Sequence, residues 1–147
     1  MNISTYIKIK TKLYSLTWNL IFGNGFKFFG KGIKIYKPNI IRGEEFISIH
    51  SNVGIACDCW LLALKISDNP PILDIGEGTQ IGRFSHIVTV ANIVIGRKVL
   101  IADKVYISDN YHNYLDKNLP IMDQEIKFKG NVTIGDGAWI GENVSII

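Results

Sequence analysis

From Ile35 onward an aliphatic residue returns on a beat that fits neither an ordinary sheet nor a helix. It stands at Ile35, Ile41, Ile49, Ile55, Leu61, Ile75, Ile81, Ile87, Ile95, Ile101, Ile107, Ile134, Ile140 and Ile146. Thirteen of these fourteen are isoleucine, and nine of the thirteen intervals are six residues. Two positions earlier sits a second small or aliphatic residue: Ile33, Ile47, Val53, Cys59, Leu73, Thr79, Ser85, Ile93, Val99, Val105, Val132, Ala138 and Val144. A spacing of two puts both side chains on one face of a short strand, so each hexapeptide supplies one strand with two inward residues. The exception is Asn39, before Ile41 and just after Pro38, which makes the first coil the expected place for irregularity. Gly follows the aliphatic residue at 76, 82, 96, 135 and 141, where tight bends are expected.

The four intervals that are not six decide the architecture. They run from 41 to 49, 61 to 75, 87 to 95 and 107 to 134. Dealt in threes, as the sides of a triangular coil, Ile41, Leu61, Ile87 and Ile107 all fall on one side. Every insertion therefore leaves at one corner, as expected of a three-sided prism with one elaborated edge. A sandwich, with strands every 8 to 12 residues, fits the six-residue beat poorly. The expected organisation is an N-terminal helical or turn segment over residues 1–32, then a parallel β-helix over residues 33–147 with a long loop at 108–131.

Composition narrows the function classes. At 147 residues with 47% hydrophobic content the chain fits one folded domain. Its formal net charge is +3, with Lys8, Lys10, Lys12, Lys27, Lys31, Lys34 and Lys37 crowding the first quarter. That basic face is too weak to imply nucleic acid. Cys57 and Cys59, one residue apart, would stand side by side on a strand, which suggests neither a disulfide nor a metal site. No signal-peptide pattern is visible, so the expected location is cytoplasmic. The most apolar stretch, Leu13 to Phe29, is broken by Asn19, Gly23, Asn24, Gly25 and Lys27 and falls short of a bilayer span. It reads as a short helix with exposed aromatics, ending in a turn at Gly23 to Gly25. It either packs over the open end of the prism or makes weak contact with a membrane surface.

The segments Ile75-Gly76-Glu77-Gly78-Thr79-Gln80-Ile81-Gly82 and Val132-Thr133-Ile134-Gly135-Asp136-Gly137-Ala138-Trp139-Ile140-Gly141 resemble the hexapeptide-repeat acyltransferases. Ile107-Ser108-Asp109-Asn110-Tyr111-His112-Asn113-Tyr114, with Pro120-Ile121 and Gln124, is similar to the bacterial sugar O-acetyltransferase branch serving surface polysaccharide synthesis. The resemblance extends from about Ile33 to the end. It implies an all-β, left-handed parallel β-helix; the hand comes from the resemblance, because periodicity does not carry it.

It also implies acetyl-coenzyme A as acyl donor, a sugar or polysaccharide precursor as acceptor, a homotrimer, and a catalytic His just before the long loop. His112, five residues after Ile107, occupies that place. Many relatives have Asp-His-Asn-His where this chain has Asp109-Asn110-Tyr111-His112, so Asn110 replaces the first His. An imidazole with a pKa near 6.5 suits proton removal from an attacking hydroxyl at neutral pH. Asp109 is a candidate to orient the ring, and Asn110, Tyr111 and Trp139 are candidates to contact substrate or coenzyme. The loop, with Tyr111, Tyr114, Pro120, Met122 and Phe128, reads as a flap over a site and against a neighbouring subunit. His50 and His86 flank repeat positions and are expected to point outward, too far from His112 in sequence to suggest a metal set. Relatives of this kind run on through further coils, so the chain reads as C-terminally truncated. The alternative function is therefore a non-catalytic or crippled β-helix subunit.

Overall fold

The computed structural model describes residues 2–38 and 40–147. The chain opens with α1 (Ile3–Phe22), whose N-cap Asn2 accepts the backbone N–H of Thr5, and continues into a 3-10 turn at Gly23–Gly25. The helix is longer than the sequence pattern suggests. Thr11 and Thr17 fold their hydroxyls back onto the carbonyls of Ile7 and Leu13, so both hydroxyls are satisfied within the helix.

The rest of the described chain winds through five rungs. The first comprises β1 (Phe28–Phe29), β2 (Lys34–Ile35) and β3 (Ile40–Arg42). The second holds β4 (Ile47–Ile49), β5 (Gly54–Ile55) and β6 (Trp60–Ala63). The third holds β7 (Ile72–Ile75), β8 (Gln80–Ile81) and β9 (His86–Thr89), and the fourth β10 (Asn92–Ile95), β11 (Leu100–Ile101) and β12 (Tyr106–Ser108). A hairpin of β13 (Asn110–His112) and β14 (Ile126–Phe128) precedes the fifth rung, β15 (Val132–Ile134), β16 (Trp139–Ile140) and β17 (Ser145–Ile146).

Like strands stack in parallel into three sheets: β1-β4-β7-β10-β15, β2-β5-β8-β11-β16 and β3-β6-β9-β12-β17. The architecture is a parallel β-helix. Registers such as Ile55↔Ile81 and Leu61↔Ile87↔Ile107 place one repeat aliphatic residue over the next. From Ile47 to Ile107 these inward residues are nearly or fully buried, so the repeat is the core. The first rung begins at Phe28, earlier than the expected boundary at residue 33, because Phe28 and Phe29 pair with Ser48 and Ile49. Only Phe29 takes an inward position, over Ile49, while Phe28 is exposed and Lys27 stands two residues before Phe29, so the aliphatic pair is missing and the periodicity does not show this strand. The irregularity expected at Asn39 lies outside the described residues. One rung up, however, Asp58 N–H bonds Lys37 O itself, whereas Phe84 and Lys104 bond the residue preceding the positive-φ position below. The first rung is thus shifted by one at this corner.

Two corners are tight. At one, Gly32, Asn52, Gly78, Lys98 and Gly137 all have positive φ; at the other, Lys37, Asp58, Phe84, Lys104 and Asn143 do. The glycines directly after the repeat aliphatics play a different part from the one expected, since none of them has positive φ. A Cβ on Gly76 would fall 2.5 Å from the backbone of Gly96, and one on Gly82 would fall 2.4 Å from Ala102. At Gly76, Gly82 and Gly96 successive rungs approach too closely for a side chain, whereas Gly135 and Gly141 of the last rung would meet nothing closer than 4 Å; the left-handed bend comes two residues after each. Cys57 lies in such a turn, beside Asp58 at φ 61, while Cys59 is buried, so the two thiols do not share a strand face; both are free.

Inward Thr79 and Ser85 remain polar inside the prism because each finds partners one rung on. Thr79 donates to Gly96 O and accepts from Val99 N–H; Ser85 donates to Ala102 O and accepts from Val105 N–H. Ser15 of α1 repeats the pattern at the first rung, donating to Ile33 O and accepting the Ile35 N–H, while Asn19 donates to Ile33 O at 2.8 Å. Trp18 packs on Phe26 and Phe29. The helix thus covers the open end of the prism, one of the two roles expected for it, and gives polar partners to an edge that would otherwise be bare.

Candidate functional site

The third corner, where each rung's last strand passes to the next rung's first, carries the excursions, the longest of which bears His112. Its geometry starts with Asp109, immediately after β12 and fully buried. One carboxylate oxygen accepts the Val90 N–H (2.9 Å) and the Asn110 amide (3.0 Å). The other accepts the Thr89 hydroxyl and the N–H groups of Ala91 (2.9 Å) and Asn92 (2.8 Å). The carboxylate gathers the backbone N–H groups of the turn linking the third rung to the fourth. Burial alone would raise the Asp109 pKa, but these donors outweigh it and hold the carboxyl below its ordinary range.

Asn110 is also committed here. Its side-chain amide donates to Val88 O (3.2 Å) as well as to Asp109, and its backbone exchanges bonds with the Ser108 hydroxyl. From this root the chain leaves as an antiparallel hairpin in the register Asn110↔Phe128, Tyr111↔Lys127, His112↔Ile126. Lys129 N–H returns to Asp109 O at 2.8 Å, closing the base. The tip is held by Gln124, whose amide donates to Asp116 O and Leu119 O.

His112 is exposed at the outer end of β13. A rigid base of buried hydrogen bonds thus carries an accessible imidazole two residues further out. The hairpin also displays Tyr114, Leu115, Ile121, Met122 and Phe128, each at least half exposed. Tyr111 is partly exposed, with its ring 6.3 Å from that of Tyr114.

The structure brings Asp109, Asn110, Tyr111 and His112 to one corner but separates their roles. Two expected roles need correction. Both Asp109 oxygens are filled by the turn, and none of the hydrogen bonds they accept comes from His112, so Asp109 does not orient the ring. Asn110 is buried, and its amide is spent on Val88 O and Asp109, so it serves the corner and is not presented at the surface as a binding group. Trp139 is 74% exposed beside Leu100 on the sheet opposite this corner, so within one chain it does not meet His112.

The other histidines stand elsewhere. His86 lies on the outer face of the sheet ending in β17, stacked on Trp60 with ring centroids 4.3 Å apart, and burial lowers its pKa. His50 pairs with Asp74 at 3.0 Å on the outer face of the sheet beginning with β1, against Phe28. This imidazole–carboxylate pair escaped the sequence reading, because residues 24 apart become neighbours only once the register Ser48↔Asp74 is known. Thr89 was missed for a similar reason, although a Thr 20 residues before an Asp is one rung below it. Among the described residues, no group of three or more His, Cys, Asp or Glu is placed to hold a metal.

Comparison with known proteins finds no family model, no curated protein and no solved structure that matches the chain.

Proposed function

We propose that the chain is an acyltransferase that moves an acetyl group from acetyl-coenzyme A to a sugar hydroxyl of a surface polysaccharide or its precursor. His112 acts as general base. The observation that carries this reading is the accessible His112 imidazole on a strand whose base is fixed by Asp109 and Asn110. In the proposed reaction the imidazole takes the hydroxyl proton as the oxygen attacks the acetyl carbonyl. The C–S bond then breaks, and the leaving thiolate recovers the proton from the imidazolium. No covalent enzyme intermediate is required. Apolar Trp139 and Leu100, exposed side by side, offer a surface for the pantetheine arm of the donor, contributed to the His112 corner of a neighbouring copy in a homotrimer. The exposed apolar hairpin suits that assembly. Use of acetyl-coenzyme A accords with a cytoplasmic site.

The test is thiol release from acetyl-coenzyme A by the purified chain in the presence of a panel of sugar acceptors, with sedimentation run alongside. Acceptor-dependent release that disappears in His112→Ala supports the reading; a well-folded assembly with no release against any acceptor ends it. A second reading, a β-helix subunit without turnover, is favoured by one observation. Among the described residues, no carboxylate is hydrogen-bonded or ion-paired to the His112 ring.

A further inference from the structure

Helix α1 turns its polar side inward and its apolar side out, the reverse of an ordinary surface helix. Its inner face is Ser15 and Asn19, bonded to the first rung, with Trp18 packed below. On the opposite face, Ile9, Leu13, Leu16 and Leu20 recur at the i, i+4, i+7, i+11 spacing of one helical stripe. They are 48%, 60%, 51% and 82% exposed, with Tyr6 beside them at 51%. Lys10 and Lys12 border the stripe on either side, both exposed.

Charge is polarised the same way. Residues 1–43 contain eight Lys and Arg and no Asp or Glu, whereas the remaining residues contain eight Lys and Arg against thirteen acids. Among the described residues, none of the first seven lysines enters an ion pair.

We propose that α1 is a membrane-surface anchor that lies flat on an anionic bilayer. The apolar stripe enters the headgroup–acyl boundary, and the basic end of the prism faces the lipid charge. The helix is about 30 Å long at 1.5 Å per residue, and none of the described helices is long and apolar enough to cross a membrane. An apolar stripe flanked by lysines matches the features of an interfacial helix. A second copy of the chain fits less well, because two such helices would set like-charged rims against each other. The proposal is independent of the acetyl-transfer reading.

The test is flotation of the full-length chain with two kinds of vesicle: phosphatidylcholine alone, and phosphatidylcholine with phosphatidylglycerol at about three lipids in ten. The wild type is expected to float with the anionic vesicles and to bind the neutral ones at least about tenfold less. Leu16→Ser/Leu20→Ser, which alters no packed side chain and whose fold is checked by circular dichroism, is expected to lose flotation. Lys8→Glu/Lys10→Glu/Lys12→Glu reads the charge contribution and is expected to lower binding by at least about tenfold. Wild type that stays in the dense fraction overturns the proposal, as does binding unchanged in the serine variant. Loss of self-association in the serine variant, with no vesicle binding by the wild type, would assign the stripe to a second copy and overturn it equally.

Discussion

Asp109 and Asn92 close the fourth rung on itself: a carboxylate oxygen of the first accepts the backbone N–H of the second at 2.8 Å. The same carboxylate serves three more donors of that turn, so its charge is a fixed part of the corner. Asp109→Ala is expected to cost about 3 kcal/mol, because a buried turn loses its acceptor and its N–H groups are left unsatisfied. Denaturant unfolding measures it.

The same group sets an acid limit. The folded carboxyl is held below the unfolded value of about 3.9, so the stability it supplies is complete above that pH. It is lost as the pH falls through the folded value. Thermal melts of wild type and Asp109→Asn are expected to differ most above about pH 5 and to converge in stronger acid. A difference that grows on acidification contradicts the assignment.

His112→Ala is expected to leave stability within about 0.5 kcal/mol, since the side chain is exposed and fills no core layer. If the proposed chemistry holds, turnover falls by about 10²- to 10⁴-fold. His86→Ala, which disturbs only the stack on Trp60, is the control and is expected to keep most activity. Steady-state thiol release compares the two.

Ser15→Ala tests whether α1 completes the prism. Without the hydroxyl, Ile33 O and Ile35 N–H lose their shared partner, at an expected cost of about 1–2 kcal/mol. Hydrogen exchange at Ile35 is the sensitive readout; protection is expected to fall there, while Ile55 and Ile81, flanked by rungs, keep theirs.

Gly43 and Gly137 share a positive φ, +72° and +70°, but differ in surroundings. A Cβ on Gly43 would lie 2.0 Å from Ala63 O, whereas one on Gly137 would meet nothing within 4 Å. Gly137→Ala is expected to cost only the left-handed conformation, about 1–2 kcal/mol. Gly43→Ala is expected to cost clearly more, because backbone must also move. Equal midpoint shifts in urea would show that the contact at Gly43 relaxes freely.

Much of the fold was legible because inward residues obey one rule. From Ile47 to Ile107 each pair two apart, including polar Thr79 and Ser85, is buried where the repeat puts it. The single corner of insertion was legible for the same reason, through the intervals after Ile41, Leu61, Ile87 and Ile107. The aromatic first strand at Phe28–Phe29 was not, since it breaks the aliphatic pattern and is defined by its partner β4. The corner around His112 was legible in position but not in contacts. Loop sequence shows that Asp109 and His112 are close along the chain; the direction of a carboxylate depends on the Thr89–Asn92 turn one rung away. Outward pairs such as His50 with Asp74 follow only from register.

All four departures from the six-residue beat leave the prism at one edge, and the buried stacks run past them unbroken. That edge works as a port. Beyond the roots that Asp109 and Gly43 tie to the neighbouring rung, a longer, shorter or chemically different excursion can be grafted there without altering an inward side chain, so the tips of the excursions can diverge while the column keeps its stability. The two tight corners have no such freedom, because each bend there is in hydrogen-bonded contact with the bend of the next rung.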